Sequence, residues 1–176
     1  MQREADRRAA FEELFNAHYW AVRGYVLRRS PAAAEDVVAE TFLVAWRRLD
    51  VIADDPLPWL LGVARRVLAN QQRAEHRRGA LTARLQGLFP GQAPEWEPPP
   101  AMSDELAIAM VRLSPQEREA LLLVAWEGLE PARAAQVAGC SAGAFRGRLH
   151  RARRHVAAAL ADAPIAPQSS IAGESP

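Results

Sequence analysis

Lysine is absent, so all 22 Lys/Arg positions of the 176-residue chain are arginine. A guanidinium can place paired hydrogen bonds on phosphate or on guanine, which a rounder ammonium cannot do in the same way. Cysteine is almost absent too: Cys140 stands alone, which excludes an internal disulfide and argues against a cysteine-rich zinc site. Long apolar runs are missing. The longest, Ala120 to Trp126, has seven residues, where a membrane-spanning helix needs about 20. The charged start Met1-Gln2-Arg3-Glu4-Ala5-Asp6 lacks the apolar core of a signal peptide, so a reducing cytoplasm is the expected location and membrane insertion is not expected. His18, His76, His150 and His155 do not form a metal-spaced set, and no Gly-rich phosphate loop follows a strand, because no strand is evident. An enzyme is therefore not the expected class, and neither cofactor nor metal is expected.

What is present is unevenly distributed. Net charge is only +1, yet residues 1 to 79 hold 13 Arg against 11 acids, residues 80 to 130 hold 3 against 8, and residues 131 to 160 hold 6 Arg and no acid. In that last stretch Pro131 can open a helix and Gly139 can close it in the left-handed conformation. Ser141 then caps a second helix that sets Phe145, Leu149, Ala152 and Val156 in one apolar stripe. The rest of its surface carries Arg146, Arg148, His150, Arg151, Arg153 and Arg154. Two short helices joined by a Gly-containing turn, the second densely cationic, read as a helix-turn-helix facing a phosphate backbone. A basic amphipathic helix at the end of a bundle is the plainer alternative.

Upstream, Phe11, Leu14, Phe15, His18, Tyr19, Val22, Tyr25 and Val26 recur at threes and fours, which predicts a helix from about Glu4 to Arg28 with His18 as a packed, hydrogen-bonded core residue. A second helix, roughly Ala32 to Leu49, turns Val37, Val38, Thr41, Phe42, Ala45, Trp46 and Leu49 inward. Its outer side starts with Glu35, Asp36 and Glu40 and ends with Arg47 and Arg48, complementing the helix dipole. After a loop at 50 to 58, in which Asp55 is placed to cap, a third helix buries Leu57, Leu60, Leu61, Ala64, Val67 and Leu68. Its other side reads Trp59, Arg66, Asn70, Arg73 and Arg77, with Arg65 beside them. An aromatic at the mouth of an arginine and amide track suits single-stranded nucleic acid, although Trp59 serves equally well as a core residue.

Gly87, Pro90, Gly91, Pro94 and Pro98 to Pro100 predict an extended linker over 80 to 102. Ser103 caps the next helix, and Ser114-Pro115-Gln116-Glu117 is a capping box. The expected architecture is all-α: a helical unit at 1 to 79, the linker, a helix-turn-helix unit at 103 to 161, and a disordered tail at 162 to 176.

Two stretches carry a resemblance. Ala34-Glu35-Asp36-Val37-Val38-Ala39-Glu40-Thr41-Phe42-Leu43-Val44-Ala45-Trp46-Arg47, followed by Pro58-Trp59-Leu60-Leu61-Gly62-Val63-Ala64-Arg65-Arg66, resembles domain 2 of the extracytoplasmic-function (ECF) sigma factors of bacterial RNA polymerase. Leu113-Ser114-Pro115-Gln116-Glu117-Arg118-Glu119-Ala120-Leu121-Leu122-Leu123, continuing to Arg148-Leu149-His150-Arg151-Ala152-Arg153, resembles their domain 4. The resemblance implies that Glu35, Asp36 and Glu40 face the clamp helices of the polymerase β′ subunit, with the β flap as a second contact. It also implies that the 50 to 58 loop with Trp59, Arg65, Arg66, Asn70, Arg73 and Arg77 holds the melted strand of the downstream promoter element. Arg146, Arg148, His150, Arg151, Arg153 and Arg154 would meet the duplex upstream element, and an anti-sigma protein would be a further partner. The chain departs from the family where it reads Ala144 and Gly147 in place of the common Thr and Ser. A one-component helix-turn-helix regulator, dimeric on palindromic DNA, is the alternative function.

Overall fold

The computed structural model describes residues 1–52, 54–85, 96, 98, 99 and 102–162, with side chains described for all of these except 79–85. Among the described residues seven α-helices follow one another: α1 Gln2–Leu27, α2 Ala34–Arg47, α3 Pro56–Leu85, α4 Asp104–Val111, α5 Pro115–Ala125, α6 Pro131–Ala138 and α7 Ala142–Ala161. No strand occurs among the described residues. Most of the Pro/Gly-rich linker and the tail beyond Asp162 lie outside them. The third helix runs on past Gly79 to Leu85.

The first three helices pack through the stripes that their apolar spacing creates. Phe11, Phe15 and Tyr19 lie one turn apart along α1 and stack as a ladder on α2. Phe15 meets Phe42 at a centroid distance of 4.7 Å, and Phe11 meets Trp46 edge-on at 5.2 Å. Arg7 lies over the Trp46 ring and donates to the Trp46 carbonyl at 2.8 Å, which fastens the start of α1 to the end of α2. The buried Thr41 hydroxyl donates to the Val37 carbonyl at 2.7 Å, so the one polar side chain in that stripe is satisfied. In α3, Leu60, Leu61, Ala64 and Leu68 are buried, while Leu57 and Val67 are half-buried. His18 is half-buried and makes no side-chain hydrogen bond among the described residues, so it is not the hydrogen-bonded core residue expected.

Three serines start three of the four helices of the second unit, and Pro131 opens the other. Ser103 accepts from Leu106 N at 3.4 Å, Ser141 from Ala144 N at 3.2 Å, and Ser114 forms a reciprocal capping box with Glu117. The end of α4 is closed from outside: Arg118 donates to the carbonyls of Met110 and Val111 at the last turn and of Leu113 just beyond it. Gly139 ends α6 at φ 65°, ψ 39°, a left-handed position that turns the chain sharply into α7.

The sequence left open how the two units sit together. In the structure they share a core: Tyr25, Val26, Leu61 and Leu68 belong to one buried cluster with Leu123, Leu129, Ala134, Phe145 and Leu149. Cys140 is half-buried at the edge of that cluster as a packing residue. A smaller cluster, Met102, Met110, Leu113, Leu122 and Ala152, closes the second unit, with Trp96 packed on it. No helix among the described residues is long and apolar enough to cross a membrane.

Two stability predictions follow from these contacts. A Cβ at Gly139 would find only the Arg65 Nη1 atom, at an ordinary 3.9 Å, so the cost of Gly139→Ala is backbone strain alone, about 1–2 kcal/mol. Chemical denaturation should show that loss, and a smaller one for Gly139→Asn. The Glu117 carboxylate is held below the usual 4.5 by the Ser114 hydroxyl hydrogen bond, against the opposing effect of burial and with further help from the Ser114 N–H, His155 and Arg151. A depressed carboxylate contributes stability above its unfolded pKa, which is lost as pH falls through the folded value. Denaturation at stepped pH should therefore show stability falling below about pH 4.5. Glu117→Gln keeps the cap but not the charge and should flatten part of that fall, so superimposable profiles would refute this role.

Candidate nucleic-acid interface

Helix α7 is divided lengthwise by its own periodicity. Phe145, Leu149 and Ala152 are buried, and the rest of the surface exposes Arg146, His150, Arg153 and Arg154, with Arg148 half-buried. None of these five has a carboxylate partner among the described residues, so the charge of the four arginines is uncompensated and available to a phosphate backbone. Arg151 differs. Its Nε donates to Glu117 Oε1 at 3.3 Å, and His155 Nδ1 lies 3.6 Å from Glu117 Oε2. Glu117 is nearly buried in α5, so Arg151 ties α7 to α5 and does not stand with the free arginines. The sequence grouped it with them because spacing along one helix says nothing about an acid on another.

A second cationic stripe runs along α3. Arg66, Asn70, Arg73 and Arg77 recur at four, three and four and are all exposed, and Arg73 donates to Asn70 at 2.5 Å. Two residues expected beside them are placed otherwise. Trp59 is half-buried against the large apolar cluster, where its ring serves as packing and is not an open stacking platform. Arg65 is half-buried, with Nε donating to both Glu119 oxygens at 2.9 and 3.2 Å. Burial lowers the Arg65 pKa, but the hydrogen bond and charge of Glu119 outweigh that and raise it overall.

On α2, Glu35, Asp36 and Glu40 are exposed. Arg23 pairs with Glu35 at 3.0 Å. Asp36 and Glu40 continue into Leu43 and Arg47 at spacings of four, three and four, which makes an acidic ridge with an exposed apolar residue in it.

Sequence spacing missed the residues that join the units. Glu127, with a side chain only 5% exposed, pairs with both Arg28 and Arg29, the latter at 3.1 Å. The buried Tyr25 hydroxyl donates to Glu119 at 3.5 Å, and burial, with Glu119 nearby, keeps that phenol protonated well above its ordinary range although Arg29 opposes. Arg133 of α6 pairs with Asp55 at 3.1 Å, so Asp55 faces the helix-turn-helix unit. Trp96 Nε1 donates to the Arg28 carbonyl at 2.9 Å beneath the Arg118 guanidinium. These partners lie far apart in sequence, and no local signal pairs them. No grouping of His, Cys, Asp and Glu suited to a metal occurs among the described residues.

Comparison with known proteins agrees with both halves. Residues 14–78 match the Sigma-70 region 2 family, and residues 103–156 match Sigma-70 region 4. The chain is 33% identical over 153 residues to the ECF RNA polymerase sigma factor SigL of Mycobacterium tuberculosis, covering 83% of this chain and 86% of that one. It is 32% identical over 146 residues to the RNA polymerase sigma factor CarQ of Myxococcus xanthus, covering 81% and 84%. The sigma factor RpoE of Bartonella quintana, solved in complex with the anti-sigma factor NepR, shares the fold with a TM-score of 0.64 at 24% identity, over 88% of this chain and 98% of that one. With both regions present in order and a relative of this identity spanning most of each chain, the protein belongs to the ECF sigma factors of RNA polymerase.

Proposed function

We propose a division of labour among three surfaces of this sigma factor. The exposed ridge of Asp36, Glu40 and Leu43 on α2 takes the β′ clamp helices of core polymerase, with the β flap as a contact of the second unit. The α3 stripe of Arg66, Asn70, Arg73 and Arg77, joined by Arg65 and the 50 to 58 loop, holds the melted strand. The open face of α7, with Arg146, Arg148, His150, Arg153 and Arg154, docks on the duplex upstream element, and Arg151 aligns that helix through Glu117. The observation that carries this reading is the pair of cationic faces on separate units, in which Arg66, Arg73 and Arg77 on one and Arg146, Arg153 and Arg154 on the other are exposed and without carboxylate partners among the described residues, set against an acidic ridge on a third face. The chain supplies binding and no bond-making chemistry. A net charge of +1 suits a factor that binds DNA weakly until polymerase positions it. Its expected place of action is the cytoplasm, at the nucleoid when bound to polymerase, and an anti-sigma protein is a further partner class.

Transcription in vitro with core polymerase on native upstream regions tests the whole reading, and the expected result is initiation that depends on the added chain. Absence of initiation on every such region, together with a stable dimer that shifts palindromic DNA without polymerase, would favour a one-component regulator. Arg146→Ala should weaken use of the upstream element by about 1–3 kcal/mol and relax sequence choice there. Asp36→Arg should lower affinity for core polymerase and leave thermal unfolding unchanged. If both variants lose both properties equally, the surfaces are not separate.

A further inference from the structure

Three glycines have a reason inside the chain. Gly128 and Gly139 take the left-handed backbone that other residues resist, and a Cβ at Gly24 would press on the Arg28 guanidinium at 3.0 Å. Gly147 has no such reason. It lies in the interior of α7, its φ is not positive, and a Cβ built there would meet only Arg151 Nη1 among the described residues, at an ordinary 3.6 Å.

A glycine inside a helix lowers its stability, because the chain loses more freedom on folding and gains no side chain to pack. Nothing in the fold offsets that loss at 147. The surroundings point outward instead. Arg146 beside it is exposed and has no carboxylate partner among the described residues, His150 one turn on is exposed, and Ala144 one turn earlier is exposed and short. Gly147 is therefore a low place in a cationic face. A second copy of α7 does not suit it, because that copy would set the same arginines against these. A duplex does. The early turns of such a helix approach the base edges in the major groove, and the depth of docking decides which edges a flanking arginine can reach.

We infer that Gly147 is where the α7 backbone comes closest to the duplex upstream element, so that the missing side chain sets the depth from which Arg146 reads its base. This rests on the assignment of the α7 face to duplex DNA. Gly147 is a positioning residue: it offers the DNA no side-chain bond, and its effect passes through Arg146. The helix gives up stability at this position in return for a close approach.

The experiment measures binding of the full chain, at low salt and without polymerase, to short fluorescent duplexes cut from native upstream regions. Gly147→Ala should raise the thermal unfolding midpoint by about 2–4 °C and yet weaken duplex binding about tenfold. The slope of log affinity on log salt should stay the same, because no cation is removed, whereas Arg153→Ala should make it shallower by about one. In an Arg146→Ala background the binding loss from Gly147→Ala should largely vanish, since no base contact is left to misplace. A more stable Gly147→Ala chain that binds duplex as well as the parent overturns the inference. So does an unshifted or lowered midpoint, which would mean that the fold itself needs the glycine, and so does an undiminished loss in the Arg146→Ala background. A parent without duplex affinity overturns the assignment of the α7 face. Polymerase-dependent transcription by the parent reports on the sigma-factor reading separately, because its failure would leave the duplex comparison standing.

Discussion

The Glu119 carboxylate is the constraint from which the arrangement of the two halves follows. It projects from α5 into a place where water is largely excluded, and a charge there must be met by opposite charge or by donors. Arg65 meets it with one N–H shared between both oxygens, and the Tyr25 hydroxyl donates from below. Tyr25 is in turn covered by Arg29, whose guanidinium carbon lies 3.6 Å from the ring centroid, and Arg29 pairs with Glu127. Two acids from the second unit and three arginines around one phenol of the first thus form a connected network. Loss of Arg65 would leave Glu119 without a counter-charge, whereas Glu127 keeps one arginine when the other is removed. The apolar cluster across the joint fills the remaining space, but it is the charge network that selects one orientation of α5 and α6 against α3.

The surfaces left outside that network are the ones suited to partners. An α-helix that spends one side on Phe145, Leu149 and Ala152 has no place for Arg146, His150, Arg153 and Arg154 except water. The same geometry leaves Arg66, Asn70, Arg73 and Arg77 outside α3 and Asp36 and Glu40 outside α2. Glu117 adds a finer control. By capping α5 through Ser114 and gripping Arg151 of α7, it couples the start of one helix to the side of the next, so the angle of α7 is fixed by a polar contact as well as by packing.

Much of this was legible in the chain because it depends on near neighbours. Helix periodicity identified the stripes of α1, α2, α3 and α7. Ser103, Ser114 and Ser141 announced three helix starts, since an N-cap needs only a side-chain oxygen within reach of an N–H three residues on. Gly139 announced the turn, since a left-handed backbone penalises any other residue. Trp59, Arg65, Arg151 and Asp55 were harder. Each sits on the helix or loop expected, yet its partner is a core cluster or a charge tens of residues away, and a linear pattern assigns such a side chain only by the company of its own element.

The sequence by itself therefore determined the helices, their caps, their wet and dry sides and the separation of cationic from acidic surface, because these arise from contacts within a few residues of chain. Only the tertiary structure decided which charges are free and which are occupied. That outcome depends on through-space approach: Glu119, Glu127 and Arg133 reach the first unit across long stretches of chain, and the burial of Glu119 and Glu127 converts their two meetings from a screened surface attraction into a constraint on shape, while the Arg133–Asp55 pair stays at the surface.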